Sequence, residues 1–142
     1  MKLSFVVPAY NEEKTISKCL ESIFREIDSL NLCSEVEVIV VNNASTDNTA
    51  EVVKSFPTAH LVNEQQKGIS CARACGFDNS HGDLVANIDA DNCLPTGWLG
   101  TVLQEYKVND KLVCLSGPLN YMGLTKVDSF LVKIFYSLAY FF

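Results

Sequence analysis

Apolar runs and helix-spaced apolar positions alternate along this chain, joined by short polar connections. Leu3 to Val7 is an uninterrupted apolar stretch that predicts a buried strand, ended by Pro8. Asn11 is placed to cap a helix, with Glu12 and Glu13 at its electropositive end. Ile16, Cys19, Leu20, Ile23, Phe24, Ile27 and Leu30 then recur at helical spacing as one apolar stripe. Val36 to Val41 predicts a second strand, with the valine and isoleucine content of a strand buried on both faces. The polar loop Asn42 to Asp47 leads into a short helix from Asn48 to Phe56, closed before Pro57, and His60 to Val62 makes a brief third strand. Beyond the loop Asn63 to Gly68, a helix runs from Ile69 to Asn79 and stops at His81-Gly82. Leu84 to Ile88 is a fourth strand, and Thr96 caps a helix carrying Trp98, Leu99, Val102, Leu103 and Tyr106. Leu112 to Leu115 is a fifth strand, ended by Gly117-Pro118.

Strand and helix in strict alternation predict an α/β domain, with a mostly parallel sheet and helices on both faces. In such sheets ligands sit beyond the carboxyl ends of the strands. Three polar loops open on that edge: Ala9-Tyr10-Asn11-Glu12, Asn42 to Asp47, and Asp89-Ala90-Asp91-Asn92. The last is the most informative. Residues i and i+2 of a strand leave on the same side, so Asp89 and Asp91 present two carboxylates together. Paired carboxylates repel unless a positive charge separates them, and hard oxygen donors suit Mg²⁺ or Mn²⁺, ions that accompany phosphate-bearing substrates. A turn that caps the next helix is the plainer alternative for Asp-Ala-Asp-Asn before Pro95.

Composition narrows the classes. With 142 residues there is room for one domain with a single core, and 48% apolar against 20% charged residues describes a globular chain. A formal net charge of −6 argues against a nucleic-acid partner, yet suits a nucleotide held through a cation. The six cysteines form no C-x-x-C pair; Cys71 and Cys75, four apart on a helix, are read as core thiols and not a metal site. Met1-Lys2 leads straight into Leu3 to Pro8, too short an apolar stretch for a signal peptide, so reduced thiols and a cytoplasmic location are expected.

Together the motifs resemble family 2 glycosyltransferases of the GT-A fold. The matching segments are Val7-Pro8-Ala9-Tyr10-Asn11-Glu12-Glu13, Val41 to Thr49, Lys67-Gly68-Ile69-Ser70-Cys71-Ala72-Arg73, Gly82-Asp83 before Ile88 to Asp91, and Leu94-Pro95 with Trp98-Leu99. They stand in family order from residue 3 to about residue 117. The resemblance implies a Rossmann-like GT-A core over 1–117, followed at 118–142 by an acceptor-side or membrane-associated segment. It implies a nucleoside-diphosphate-sugar donor, a UDP-sugar favoured and a GDP-sugar the alternative, with a saccharide or lipid-linked acceptor. Asp91 would be the direct metal ligand and Asp89 would lie near the ribose or the metal. Pro8, Ala9, Tyr10, Glu12, Asn43, Ser45, Arg73 and Ala90 would complete the donor site. The family often has Asp-Asp where this chain has Asn42-Asn43. An amide at Asn43 keeps an acceptor oxygen for a base N–H but loses charge-assisted strength; its alternative role is to organise the loop. Arg73 reads as a phosphate anchor, Lys67 as a solvated neighbour, and Asp83 as a strand-entry residue.

The metal would stabilise charge on the departing diphosphate, and inversion carries over from the family. A general base for the acceptor hydroxyl is also required. No carboxylate after Asp110 except Asp128 precedes Phe142, so the base is expected beyond this chain and the GT-A domain is expected to be truncated. The stretch 130–142 is apolar nearly all round and too short to span a bilayer, so it is expected to pack under a following segment, associate with itself, or rest at the inner face of a membrane. Two functions stay open: sugar transfer, and donor binding without turnover. A sugar nucleotidyltransferase is disfavoured, because Pro8-Ala9-Tyr10-Asn11 has no glycine-rich triphosphate loop.

Overall fold

A computed structural model describes residues 1–109 and 111–115. Met1–Thr101 forms one compact unit. Its elements are β1 (Leu3–Ala9), α1 (Ile16–Ser29), β2 (Val36–Asn42), α2 (Thr49–Lys54), β3 (Ala59–Asn63), α3 (Ile69–Asp78), β4 (Leu84–Asn87) and the start of α4 (Trp98–Val108). Every pairing among these strands is parallel, in the order β3-β2-β1-β4. The chain therefore steps outward from β1 to β3 and returns on the other side of β1, which places the topological switch beside that strand.

Alternation along β1 separates the two faces of the sheet. Phe5 packs against Trp98, with ring centroids 6.1 Å apart. Val6, the next residue, points to the opposite face, where α3 lies. Ile39, Val41 and Ala72 form a buried cluster there, with Val62 and Cys75 against it. On that face α3 sits close: a Cβ built on Gly76 would come within 2.2 Å of Val6 Cγ1. A glycine is therefore needed at the crossing point. Across the sheet α1 and α2 pack together, with Phe24 stacked on Phe56 at 6.1 Å.

β4 ends at Asn87, so Asp89 to Asp91 lies in the turn that follows, closed by the Asn92 N–H to the Asp89 carbonyl, and strand alternation does not set the direction of the two carboxylates. Three further features differ from the sequence pattern, each for a local reason. Pro8 lies inside β1, not at its end. The Val6 carbonyl accepts the Ile88 N–H on the β4 side, and Pro8 points the same way, past the last β4 partner, so its missing N–H breaks no ladder bond. Asn11 does not cap α1, because the helix starts only at Ile16 and Asn11 adopts a left-handed φ of 57°. Leu112 to Leu115 is not a strand: Val113 is 93% exposed, and among the described residues no strand pairs with this run.

No helix among the described residues is long and apolar enough to cross a membrane. The whole of the expected segment 118–142, with its apolar stretch 130–142, falls outside the described residues.

Candidate functional site

The rim begins with two loops that hold each other. Asn11 turns its side chain toward the β2–α2 loop, where its Oδ1 accepts the Thr46 N–H at 2.8 Å. In return Ser45 Oγ accepts the Asn11 N–H at 3.1 Å, Thr49 Oγ1 accepts that of Glu12 at 2.8 Å, and Asp47 Oδ2 that of Glu13 at 3.1 Å. Glu13 Oε2 then accepts the Asn48 N–H at 3.0 Å. Short polar residues fill the run Ser45 to Thr49: Ser45, Asp47 and Thr49 supply side-chain acceptors to a backbone that has left regular structure, while the Thr46 and Asn48 side chains donate to Asn11 and Glu13. Burial pushes the Asp47 carboxyl up, but the hydrogen bonds from Thr49 and Glu13 outweigh it and hold the group below its ordinary value.

Asn43 ties in a third loop. It is 4% exposed, and its amide nitrogen donates to the Gln66 carbonyl at 2.7 Å and the Glu64 carbonyl at 3.3 Å. Its Oδ1 accepts the Gly68 N–H at 2.8 Å. Gly68 opens α3 with φ 139°, a conformation that side chains rarely tolerate.

A cleft of about 560 Å³ lies among these loops. Pro8, Ala9, Tyr10 and Glu12 line one wall; Asn43, Lys67, Gly68 and Ile69 line the next; Ala72, Arg73 and Asp89 to Asp91 close it. All the residues that the motifs nominate lie on this lining except Ser45, whose hydroxyl is engaged by Asn11. Lys67, Gly68, Ile69 and Ala72 line the cleft although they were not nominated. The signal for Lys67 was present: a cation before a glycine that must bend the chain toward the site.

Charge within the cleft is organised. Arg73 Nη2 pairs with Asp89 Oδ1 at 2.8 Å, with both side chains nearly half exposed. Lys67 Nζ lies 3.1 Å from the Tyr10 hydroxyl and 4.9 Å from the centre of its ring, a cation–π geometry that joins two walls. The Glu12 carboxylate receives the Thr15 hydroxyl. Behind the Asp89 to Asp91 turn, the buried Cys19 thiol is directed at the Asp89 carbonyl at 3.7 Å. Burial, reinforced by Cys93 and by the nearby carboxylates of Asp91, Asp89 and Glu12, pushes this thiol up to about 12.

Among the described residues no three His, Cys, Asp or Glu side chains are grouped as a self-sufficient metal site. The donor set does fit a hard cation shared with a ligand. Asp89 and Asp91 both line the open cleft and would supply carboxylate oxygens to the ion, with phosphate oxygens of a ligand completing the shell.

Comparison with known proteins agrees with this architecture. Staphylococcus aureus TarS in complex with UDP superposes with a TM-score of 0.72 at 25% identity, over 89% of this chain and 38% of that one. A mannosyltransferase from Pyrobaculum calidifontis, in complex with GDP-Man and Mn²⁺, gives 0.70 at 26% identity, over 82% and 36%. These define the class: a GT-A-type α/β domain. Glycosyltransferase AglE of Haloferax volcanii is 34% identical over 102 residues, 68% of this chain and 33% of that protein. Residues 4–131 match the glycosyl transferase family 2 model, and the chain belongs to that family. It spans about a third of the length of AglE.

Proposed function

We propose that this domain binds a nucleoside-diphosphate sugar together with Mg²⁺ or Mn²⁺, and that the whole protein transfers the sugar to an acceptor hydroxyl with inversion. The observation that carries this reading is the convergence of the loops after β1, β2 and β4 on one cleft, with Asp89, Asp91 and Arg73 on the same wall. Tyr10, on the wall beside Pro8 and Ala9, offers a ring face to the base. Asp91 would hold the cation and Asp89 would lie beside it. Held there by Asp91, the cation would offset charge on the leaving group. Arg73 is within reach of Asp89, so it can share its guanidinium between that carboxylate and a phosphate oxygen. The complexes of TarS with UDP and of the mannosyltransferase with GDP-Man and Mn²⁺ support both the donor class and the ion. A UDP-sugar is the favoured donor, with a saccharide or lipid-linked acceptor.

Donor binding without turnover is the second reading, and one observation favours it. Of the lining carboxylates among the described residues, Glu12 is bonded to Thr15, Asp89 to Arg73, and Asp91 is assigned to the cation, which leaves none of these three to deprotonate an acceptor. Calorimetry with UDP in Mn²⁺ and in EDTA tests the donor site, and a UDP-release assay with a UDP-sugar and saccharide acceptors on the same sample tests transfer. Absence of Mn²⁺-dependent UDP binding would overturn the proposal.

A further inference from the structure

Glu26 is a buried carboxylate, 1% exposed, on a helix that contributes no side chain to the cleft lining. Its Oε1 accepts the Gly97 N–H and its Oε2 the Leu99 N–H, each at 3.1 Å. These amides stand at the first turn of α4, where a helix leaves its N–H groups unpaired and its dipole favours an anion. The sequence pattern assigns this cap to Thr96; a carboxylate from another helix supplies it.

Glu26 does not act alone. One turn earlier on the same face of α1, the buried Ser22 accepts the Leu94 N–H at 2.9 Å and donates to the Cys19 carbonyl at 2.7 Å. Arg25 Nη2 donates to the Leu94 carbonyl at 2.6 Å, and Cys19 reaches Asp89. Positions 19, 22 and 26 share a helix face, so one stripe of α1 holds the chain from Asp89 to Leu99. That segment has no strand or helix until Trp98. Its internal backbone bonds are two turns, Asn92 N–H to Asp89 carbonyl at 2.9 Å and Trp98 N–H to Pro95 carbonyl at 3.2 Å. Its course is therefore set largely by α1.

We propose that Glu26 is a positioning residue for the cation end of the cleft: by gripping Gly97 and Leu99 while Ser22 grips Leu94, it fixes the turn that presents Asp89 and Asp91. This rests on the donor-site reading of those two carboxylates. Glu26→Gln keeps the volume but turns an amide N–H toward one of two backbone N–H donors, so one grip opens. Ser22→Ala removes the grip at Leu94 and leaves the α4 cap intact. The nucleoside walls at Tyr10 and Gly68 are anchored by other bonds and are left as they were.

The test is calorimetry of the 142-residue chain with UDP in Mn²⁺ and with uridine in EDTA, beside amide hydrogen exchange over residues 89–99. Glu26→Gln and Ser22→Ala are each expected to weaken Mn²⁺-dependent UDP affinity by about tenfold or more, to leave uridine affinity unchanged, and to speed exchange at Asp89 to Leu94. Unchanged UDP affinity in both variants overturns the proposal, as does an equal loss for uridine, which would signal general loosening. If the unmodified chain binds no UDP with Mn²⁺, the donor-site reading fails instead. The positioning role then stands on faster exchange at Asp89 to Leu94 in Glu26→Gln, and falls if exchange there is unaltered.

Discussion

The Asn43 side chain accepts the Gly68 N–H at 2.8 Å, and so joins the end of β2 to the start of α3. The same amide donates to the Gln66 and Glu64 carbonyls, which a carboxylate is unable to do. Asn43→Asp, the residue more usual in the resembling family, would set a buried carboxylate against two carbonyl oxygens. We expect it to destabilise the fold by about 1–3 kcal/mol in urea denaturation and to weaken nucleotide binding, since the Glu64 to Gln66 segment that leads into Lys67 and Gly68 loses its tether. Equal or tighter UDP binding by Asn43→Asp would show that the side chain reads the base and does not hold the loop.

Asp91 is exposed, so its removal leaves the core untouched. Asp91→Ala is expected to abolish the Mn²⁺-dependent part of UDP affinity while the thermal midpoint stays within about 1 °C, as suits a surface change. Unaltered affinity in Mn²⁺ titrations would remove Asp91 from the cation site.

Gly76→Ala probes the opposite face of the sheet. The added methyl meets the stiff, β-branched Val6 at 2.2 Å and Val41 Cγ2 at 3.2 Å, so α3 must shift. A loss of about 1–3 kcal/mol is expected from overpacking, measured by chemical denaturation. Pairing it with Val6→Ala should recover part of that loss.

Glu37 predicts a pH dependence. Burial raises its carboxyl, but hydrogen bonds from Ser4 and from the His81 backbone and ring outweigh this and hold it below the ordinary 4.5. A folded-state value below the unfolded one adds stability above the unfolded value and loses it as pH falls through the folded value. Urea midpoints should therefore drop as pH is lowered below about 4.5, and Glu37→Gln should flatten that slope. An unchanged slope in Glu37→Gln would assign the acid sensitivity elsewhere.

The alternating pattern carried the fold well wherever burial dictated it. β2, β3, α3 and the α1 stripe lie within a residue or two of their apolar runs, because a parallel sheet covered on both faces imprints its period on the sequence. The pattern failed where hydrogen bonds between distant loops override local preference. Asn11 has every local property of a cap, yet its side chain is engaged by Thr46, a partner that no window around Asn11 reveals. Ser45 belongs to a matching segment yet is not part of the cleft lining; its hydroxyl accepts the Asn11 N–H. Glu26 was invisible as anything but a polar residue beside the α1 stripe, since its partners lie 71 and 73 residues away.

The reciprocal bonds between the β1–α1 and β2–α2 loops have a thermodynamic consequence for whatever enters between them. Peptide segments that would otherwise lose conformational freedom on meeting a ligand have already lost it during folding. The wall of the cleft that these loops form is thus preorganised, and association there should proceed with little rearrangement of the main chain.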